Sequence, residues 1–130
     1  SFESKALGDR LPALAATAAP IGVYRLVAES LGTAASGDDV RALALQVRER
    51  LGVDAAVVAL GAVVGDRPVV IVATNEAARA AGAKAGALAK AAAAALGGGG
   101  GGRDDVAQGG GTDASAVPAA LSAVRDALGA

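Results

Sequence analysis

Leucine and valine recur along this chain at spacings that switch between three-to-four and two, and each switch marks an element. Residues 6–19 set Leu7, Leu11 and Leu14 four and three apart among good helix formers, which predicts a helix that Pro12 shortens or breaks and Pro20 closes. Residues 21–29 alternate imperfectly through Ile21, Val23, Leu26 and Val27, with the β-branched and aromatic content of a strand. Ser36-Gly37-Asp38-Asp39 has the form of a capping box. Behind it Val40, Leu43, Val47 and Leu51 share one helical face, with Arg41, Arg48 and Arg50 mostly toward water and Gly52 as the stop. Residues 55–62 and 68–74 are valine-rich runs whose connection carries Gly65-Asp66, the chemistry of a β-hairpin turn. An alanine-rich helix from Gly82 or Lys84 to Leu96 follows, with Gly97 as its C-cap. Residues 106–109 predict a short strand. Residues 116–128 predict a closing helix with Val117, Leu121, Val124 and Leu128 on one face; Pro118 belongs in its first turn, which makes Ser115 the expected cap. This order implies an α/β (α+β) fold, a small mixed β-sheet covered by helices.

Six consecutive glycines, Gly97, Gly98, Gly99, Gly100, Gly101 and Gly102, interrupt that pattern, with Arg103 directly after them and Gln108 a few residues on. Such a run loses too much backbone entropy and has too little to pack for a helix or strand interior, so it reads as a loop, either slack or a site. Slack linkers usually carry serine and join unlike compositions. This run instead sits between a helix and a segment holding Arg, Asp and Gln, which favours a site. A dinucleotide fingerprint would need a strand before the glycines and a P-loop would end in Gly-Lys-Ser/Thr; neither condition is met. Two readings remain: a loop that lets backbone amides approach a phosphate or a flat nucleobase surface, with the Arg103 guanidinium supplying charge and a planar face, or a glycine loop crossing closely over the sheet with Arg103 merely solvated.

With 130 residues the chain is sized for one domain, and its 53% hydrophobic content is largely alanine, with Phe2 and Tyr24 as the aromatics. It contains no histidine and no cysteine, which removes the imidazole base, the thiol nucleophile and the usual zinc ligands. Ser1, Ser4, Ser30, Ser36, Ser115 and Ser122 sit in contexts that read as caps or helix surface, so no catalytic residue is predicted. Asp104-Asp105 reads as a loop-to-strand junction bonding backbone amides rather than a Mg²⁺ site, and no metal ligand set is predicted. Gln108 is placed to bond the glycine loop or an RNA edge, and Tyr24 reads as a sheet residue. The uncharged run of residues 91–102 is too short and too glycine-rich to span a bilayer, so no membrane partner is expected. The start at Ser1 without methionine reads as a fragment or a processed chain. Residues 67–103 hold Arg67, Arg79, Lys84, Lys90 and Arg103 against Glu76, a local charge of +4 in a chain whose net charge is −1. That is either the electrostatic footprint of a nucleic-acid binder, read without aromatic stacking and therefore through shape and backbone, or an ordinary solvated helix face.

The series Lys84-Ala85-Gly86, Leu88-Ala89-Lys90, Gly97 to Gly102 and Arg103-Asp104-Asp105-Val106-Ala107-Gln108-Gly109-Gly110-Gly111 resembles the C-terminal domain, C-Ala, of bacterial alanyl-tRNA synthetases. The same module is similar to the DHH-associated domain of certain phosphodiesterases, where histidine typically follows the glycines; Arg103 stands here, favouring the synthetase branch. The likeness covers roughly residues 20–130, which would leave residues 1–19 as the end of a helical connector. It implies a cytoplasmic tRNA-binding appendage that docks the tRNA elbow and serves the aminoacylation and editing domains of its parent. Lys84, Lys90, Gly97 to Gly102, Arg103 and Gln108 would be the RNA-binding positions. The resemblance implies no cofactor in this fragment; ATP, Mg and Zn would belong to the parent's other domains. Two rival expectations are an accessory domain of a DHH-type phosphodiesterase and an oligomerisation module, with a homodimer formed through the N-terminal helix.

Overall fold

The computed structural model describes residues 2–129; Ser1 and Ala130 lie outside the described residues. A six-stranded mixed sheet, ordered β1-β2-β3-β4-β6-β5, carries helices on both faces. The chain enters through α1 (Phe2–Gly8) and α2 (Leu11–Ala16), broken as the prolines predict, with Pro12 in the first turn of α2. The segment expected as one strand from Ile21 is a hairpin, β1 (Ala19–Ile21) and β2 (Tyr24–Ala34), turning at Gly22 with φ +58. Pro20, which lacks an N–H, sits in the edge strand β1, where it costs the sheet least. Ser30 lies in β2 rather than on a helix, at the bulge where the register with β3 shifts.

Helix α3 (Gly37–Arg50) begins as predicted, with the Ser36 hydroxyl accepting from the Asp39 amide at 3.1 Å. It carries the chain over to β3 (Ala56–Val64), which therefore pairs with β2 in parallel. The Gly65 turn, φ +61, joins β3 to β4 (Arg67–Thr74) as a two-residue hairpin with glycine first, the geometry that suits the twist of paired strands. Both strands read as continuous apolar runs because both faces are covered. Val57, Val70 and Val72 meet Leu88, Leu96, Leu121 and Val124 on one side, and Val58, Leu60 and Ile71 meet Val40, Leu43 and Val47 on the other. Leu14 of α2 is buried in the second layer.

After β4 come α4 (Glu76–Ala80), which the sequence pattern did not reveal, and α5 (Ala85–Ala95), ending at Gly97 with φ +77. The glycine run is not wholly a loop. Gly100–Gly102 form β5, an edge strand antiparallel to β6 (Val106–Gly110). The expectation of no strand fails because the ladder to β6 and a close approach to α5, which a Cβ would block, offset the entropy cost. The last segment also differs. Asp113, not Ser115, caps it: the Asp113 carboxylate accepts from the Ser115 amide at 3.0 Å and starts a 3₁₀ turn (Ala114–Ala116) ahead of α6 (Val117–Gly129).

Candidate functional site

The predicted site residues divide among three places. Lys84 and Arg103, nineteen positions apart, are drawn together by one hydrogen bond: the Ala85 amide donates to the Asp104 carbonyl at 2.9 Å, and each cation is the residue before one of those partners. Lys84 occupies the N-cap of α5 without bonding the helix through its side chain. Among the first-turn amides, which have no intrahelical partner, that of Ala85 is thereby used, while those of Gly86 and Ala87 lie at the open helix start, where positive dipole and ammonium add. A cleft of ≈ 310 Å³ lined by Tyr24, Gly82, Lys84, Ala87 and Leu128 opens beside it. Tyr24 begins β2 and donates its hydroxyl to the Ala81 carbonyl at 2.8 Å, tying the loop before α5 to the sheet.

Lys90 is exposed on α5 one turn beyond Gly86, whose Cβ, were it present, would lie 2.9 Å from the Gly102 carbonyl. It therefore flanks β5. The glycines themselves split by role. A Cβ on Gly98 would fall 2.2 Å from the Gly110 carbonyl, and one on Gly100 would fall 2.9 Å from the Ala89 carbonyl, so these two let the backbone pack. Gly99 and Gly101 have nothing within 4 Å of that position and present bare backbone to solvent.

Gln108 does not join Lys84 and Lys90. It pairs with Gly101 and Ile71 across the sheet, and Ile71 belongs to the α3 layer, so Gln108 is exposed on the face away from α5. There it shares a groove of ≈ 320 Å³ with Arg67, Pro68 and Gly111. Arg67 opens β4 and Thr74 ends it, which separates Arg67 from the Arg103 turn by about 23 Å at the rise of an extended strand.

The +4 charge of residues 67–103 is partly offset by the residues that follow. Extending the window by two residues adds Asp104 and Asp105 and reduces the local charge to +2. Arg103 is 79% exposed yet paired: its Nε and Nη2 donate to the two Asp105 carboxylate oxygens at 3.2 and 3.3 Å. That hydrogen bond raises the Arg103 pKa above its already high ordinary value and holds the Asp105 carboxyl below the ordinary carboxylate range. The aspartates act differently from the expectation that their carboxylates bond amides. Their carbonyls accept instead: Asp104 from the Thr74 hydroxyl at 2.6 Å, Asp105 from the Thr74 amide at 2.9 Å and from Arg48 Nη1 at 3.3 Å. Arg48, expected toward water, is thus a contact of this turn. Thr74 and Arg48 bond backbone carbonyls and leave no spacing signal in the sequence.

Among the described residues, no group of three or more acidic, histidine or cysteine side chains gathers to hold a metal, and no helix is long and apolar enough to cross a membrane.

A family profile described as "DHHA1 domain" matches residues 23–130. The alanine–tRNA ligase of Leifsonia xyli subsp. xyli is 57% identical over 129 residues, covering 99% of this chain and 15% of its own length. That of Clavibacter michiganensis subsp. michiganensis is 60% identical over 127 residues, covering 98% of this chain and 14% of its own length. The chain thus spans a small part of either ligase. Among solved structures, the C-Ala domain from Aquifex aeolicus alanyl-tRNA synthetase superposes with a TM-score of 0.77, covering 88% of this chain and 99% of that one at 24% identity, a likeness of fold.

Proposed function

The chain belongs to the DHHA1 domain family, and from that premise we propose that it serves as the tRNA-binding C-terminal domain of a cytoplasmic alanine–tRNA ligase. In this reading it docks the tRNA elbow and keeps one tRNA within reach of the parent's aminoacylation and editing domains. Residues 1–19 are the end of the connector that joins them. The observation that carries the proposal is the meeting of the Lys84 and Arg103 backbones at the start of α5, next to the edge strand β5, whose Gly101 is bare on the sheet face away from α5. Lys84 and the first turn of α5, with the Arg103 guanidinium exposed beside its Asp105 partner, suit phosphate oxygens, and side-chain-free backbone suits a flat surface laid against it. Lys90 adds a third cation along β5. Gln108 and Arg67 lie on the face away from α5, the same face on which Gly101 is bare, so RNA held at the Lys84–Arg103 corner reaches them and that glycine only by wrapping the β5 edge. On this reading the chain itself performs no catalysis and takes no cofactor, and ATP, Mg²⁺ and Zn²⁺ would serve other parts of the parent. The similarity of this stretch to ligases at 57% and 60% identity favours that parent over a DHH-type phosphodiesterase.

An anisotropy titration of an alanine tRNA transcript over a salt series tests the reading. Each lost phosphate contact removes about 0.7–0.9 from the slope of log affinity against log salt. Arg103→Ala and Lys84→Ala should each weaken binding and flatten the slope by about that much, with tRNA preferred over an unstructured RNA of equal length. Equal binding by wild type and both variants removes the reading.

A second reading, a homodimer through the N-terminal helix, is supported by α1, in which no residue is buried and Phe2 is 87% exposed. Sedimentation of wild type and Phe2→Ser decides it: a dimer lost in the variant supports the pairing, and a monomer at every concentration rejects it.

A further inference from the structure

We infer that Thr74 is a positioning residue whose hydroxyl sets the direction of the Arg103 turn and, with it, the spacing between Arg103 and Lys84; this rests on the RNA-binding reading above. Thr74 is the buried polar side chain of the described core, at 0% exposure. Its hydroxyl donates to the Asp104 carbonyl at 2.6 Å, the same oxygen that accepts from the Ala85 amide at 2.9 Å. One oxygen therefore joins the end of β4, the start of α5 and the β5–β6 turn. Lys84 and Arg103 each precede one of the residues so joined.

The surrounding bonds leave this hydroxyl a narrow task. The Thr74 amide donates to the Asp105 carbonyl at 2.9 Å, and the Thr74 carbonyl accepts from Arg79. Arg48 reaches the Asp105 carbonyl from α3, behind the opposite sheet face, at 3.3 Å. Valine has nearly the shape of threonine and occupies neighbouring positions of β4 at Val69, Val70 and Val72. Packing alone would accept it at position 74. With valine there, the Asp104 carbonyl keeps the Ala85 amide and the Asp105 carbonyl keeps the Thr74 amide and Arg48, so no buried acceptor is orphaned. The Arg103 amide still donates to the Val106 carbonyl at 3.1 Å, so what is lost is the second anchor on the Asp104 carbonyl, and with it the fixed placement of the Asp104 peptide between Arg103 and its Asp105 partner.

The test compares Thr74→Val and Thr74→Ser in the 130-residue chain, reading thermal melting and the affinity and salt slope for the alanine tRNA transcript. Thr74→Val should fold, bind about 3- to 10-fold more weakly, the scale of one hydrogen bond, and show a smaller further loss on adding Arg103→Ala than wild type shows. Thr74→Ser, which restores the hydroxyl, should restore affinity and slope. Wild-type affinity in a folded Thr74→Val, or no rescue by a folded Thr74→Ser, overturns the positioning role while leaving the RNA reading intact. If Thr74→Val unfolds, Thr74→Ala is read the same way, and unfolding of both assigns the hydroxyl to the fold and overturns the inference. If neither Arg103→Ala nor Lys84→Ala alters binding, the RNA reading itself fails.

Discussion

Two adjacent glycines with opposite surroundings offer a sharp test of the β5 packing. A Cβ on Gly100 would sit 2.8 Å from the Gly109 Cα and 2.9 Å from both the Ala89 and Gln108 carbonyl oxygens. All three are backbone atoms, so relief requires α5 or β6 to move. Forcing a methyl into such a contact costs about 1–3 kcal/mol, the range for overpacking. At Gly99 the same methyl meets nothing within 4 Å, and the backbone is not in the left-handed region. Alanine there should stabilise by about 0.4–1 kcal/mol, because the unfolded chain loses freedom that the folded one never used. For a chain of this length 1 kcal/mol moves the melting midpoint by about 3–5 °C. Gly100→Ala should therefore melt about 3–15 °C below wild type and Gly99→Ala about 1–5 °C above it, by circular dichroism. On the RNA-binding reading Gly99→Ala also weakens tRNA binding despite its stability, since its methyl projects from the open face. Equal melting of the two variants, or a lower midpoint for Gly99→Ala, would refute the packing argument.

The Asp105 carboxyl, held below its ordinary value of 3.8 mainly by the Arg103 hydrogen bond, should titrate by NMR with a midpoint under 3.8 that moves up in Arg103→Ala. Because the pKa is depressed, the ion pair's contribution is complete above the ordinary value and is lost only as pH falls through the lowered midpoint; a stability change from this pair between pH 5 and 8 would contradict the assignment. The Asn75 carboxamide caps α4 by accepting from the Ala78 amide at 2.9 Å, accepts from the Ala56 amide at 3.0 Å, and donates to the Gly52 and Asp54 carbonyls. Asn75→Ala should cost about 1–3 kcal/mol in urea unfolding, with Asn75→Asp between it and wild type because it keeps the acceptor and loses the donors; a wild-type midpoint for Asn75→Ala would show the clamp to be idle.

What could be read in advance follows from where each element gets its stability. Helix α3 announces itself because its cap, its apolar face and its glycine stop are all local, and the β3–β4 hairpin because its turn lies between two uniformly apolar strands. The β1–β2 hairpin hides its turn at Gly22 and Val23 inside an apolar run, although glycine two residues after Pro20 is the signal that marks it. Helix α4 is only five residues long and shows no periodicity, yet Asn75 followed by Glu76 is a start signal. Strand β5 has no side chains to pattern, so nothing local distinguishes it from a loop; it exists because β6 pairs with it and α5 covers it closely.

The candidate site obeys the same division. Lys84, Arg103 and the glycines were legible as residue types, because charge and missing side chains are properties of single positions. Their arrangement was not, since a charge window sums what the chain places in order and not what the fold places together. Within residues 67–103 it counted Arg67, which lies at the far end of β4, and it stopped one residue short of the aspartates. One of these, Asp105, binds Arg103. The contact that unites the site, Thr74 to Asp104, links a core strand to a surface turn through a backbone oxygen, and any residue at position 104 would supply that oxygen. At the end of the buried run Val69-Val70-Ile71-Val72-Ala73, the single hydroxyl of Thr74 is the mark that a contact of this kind leaves.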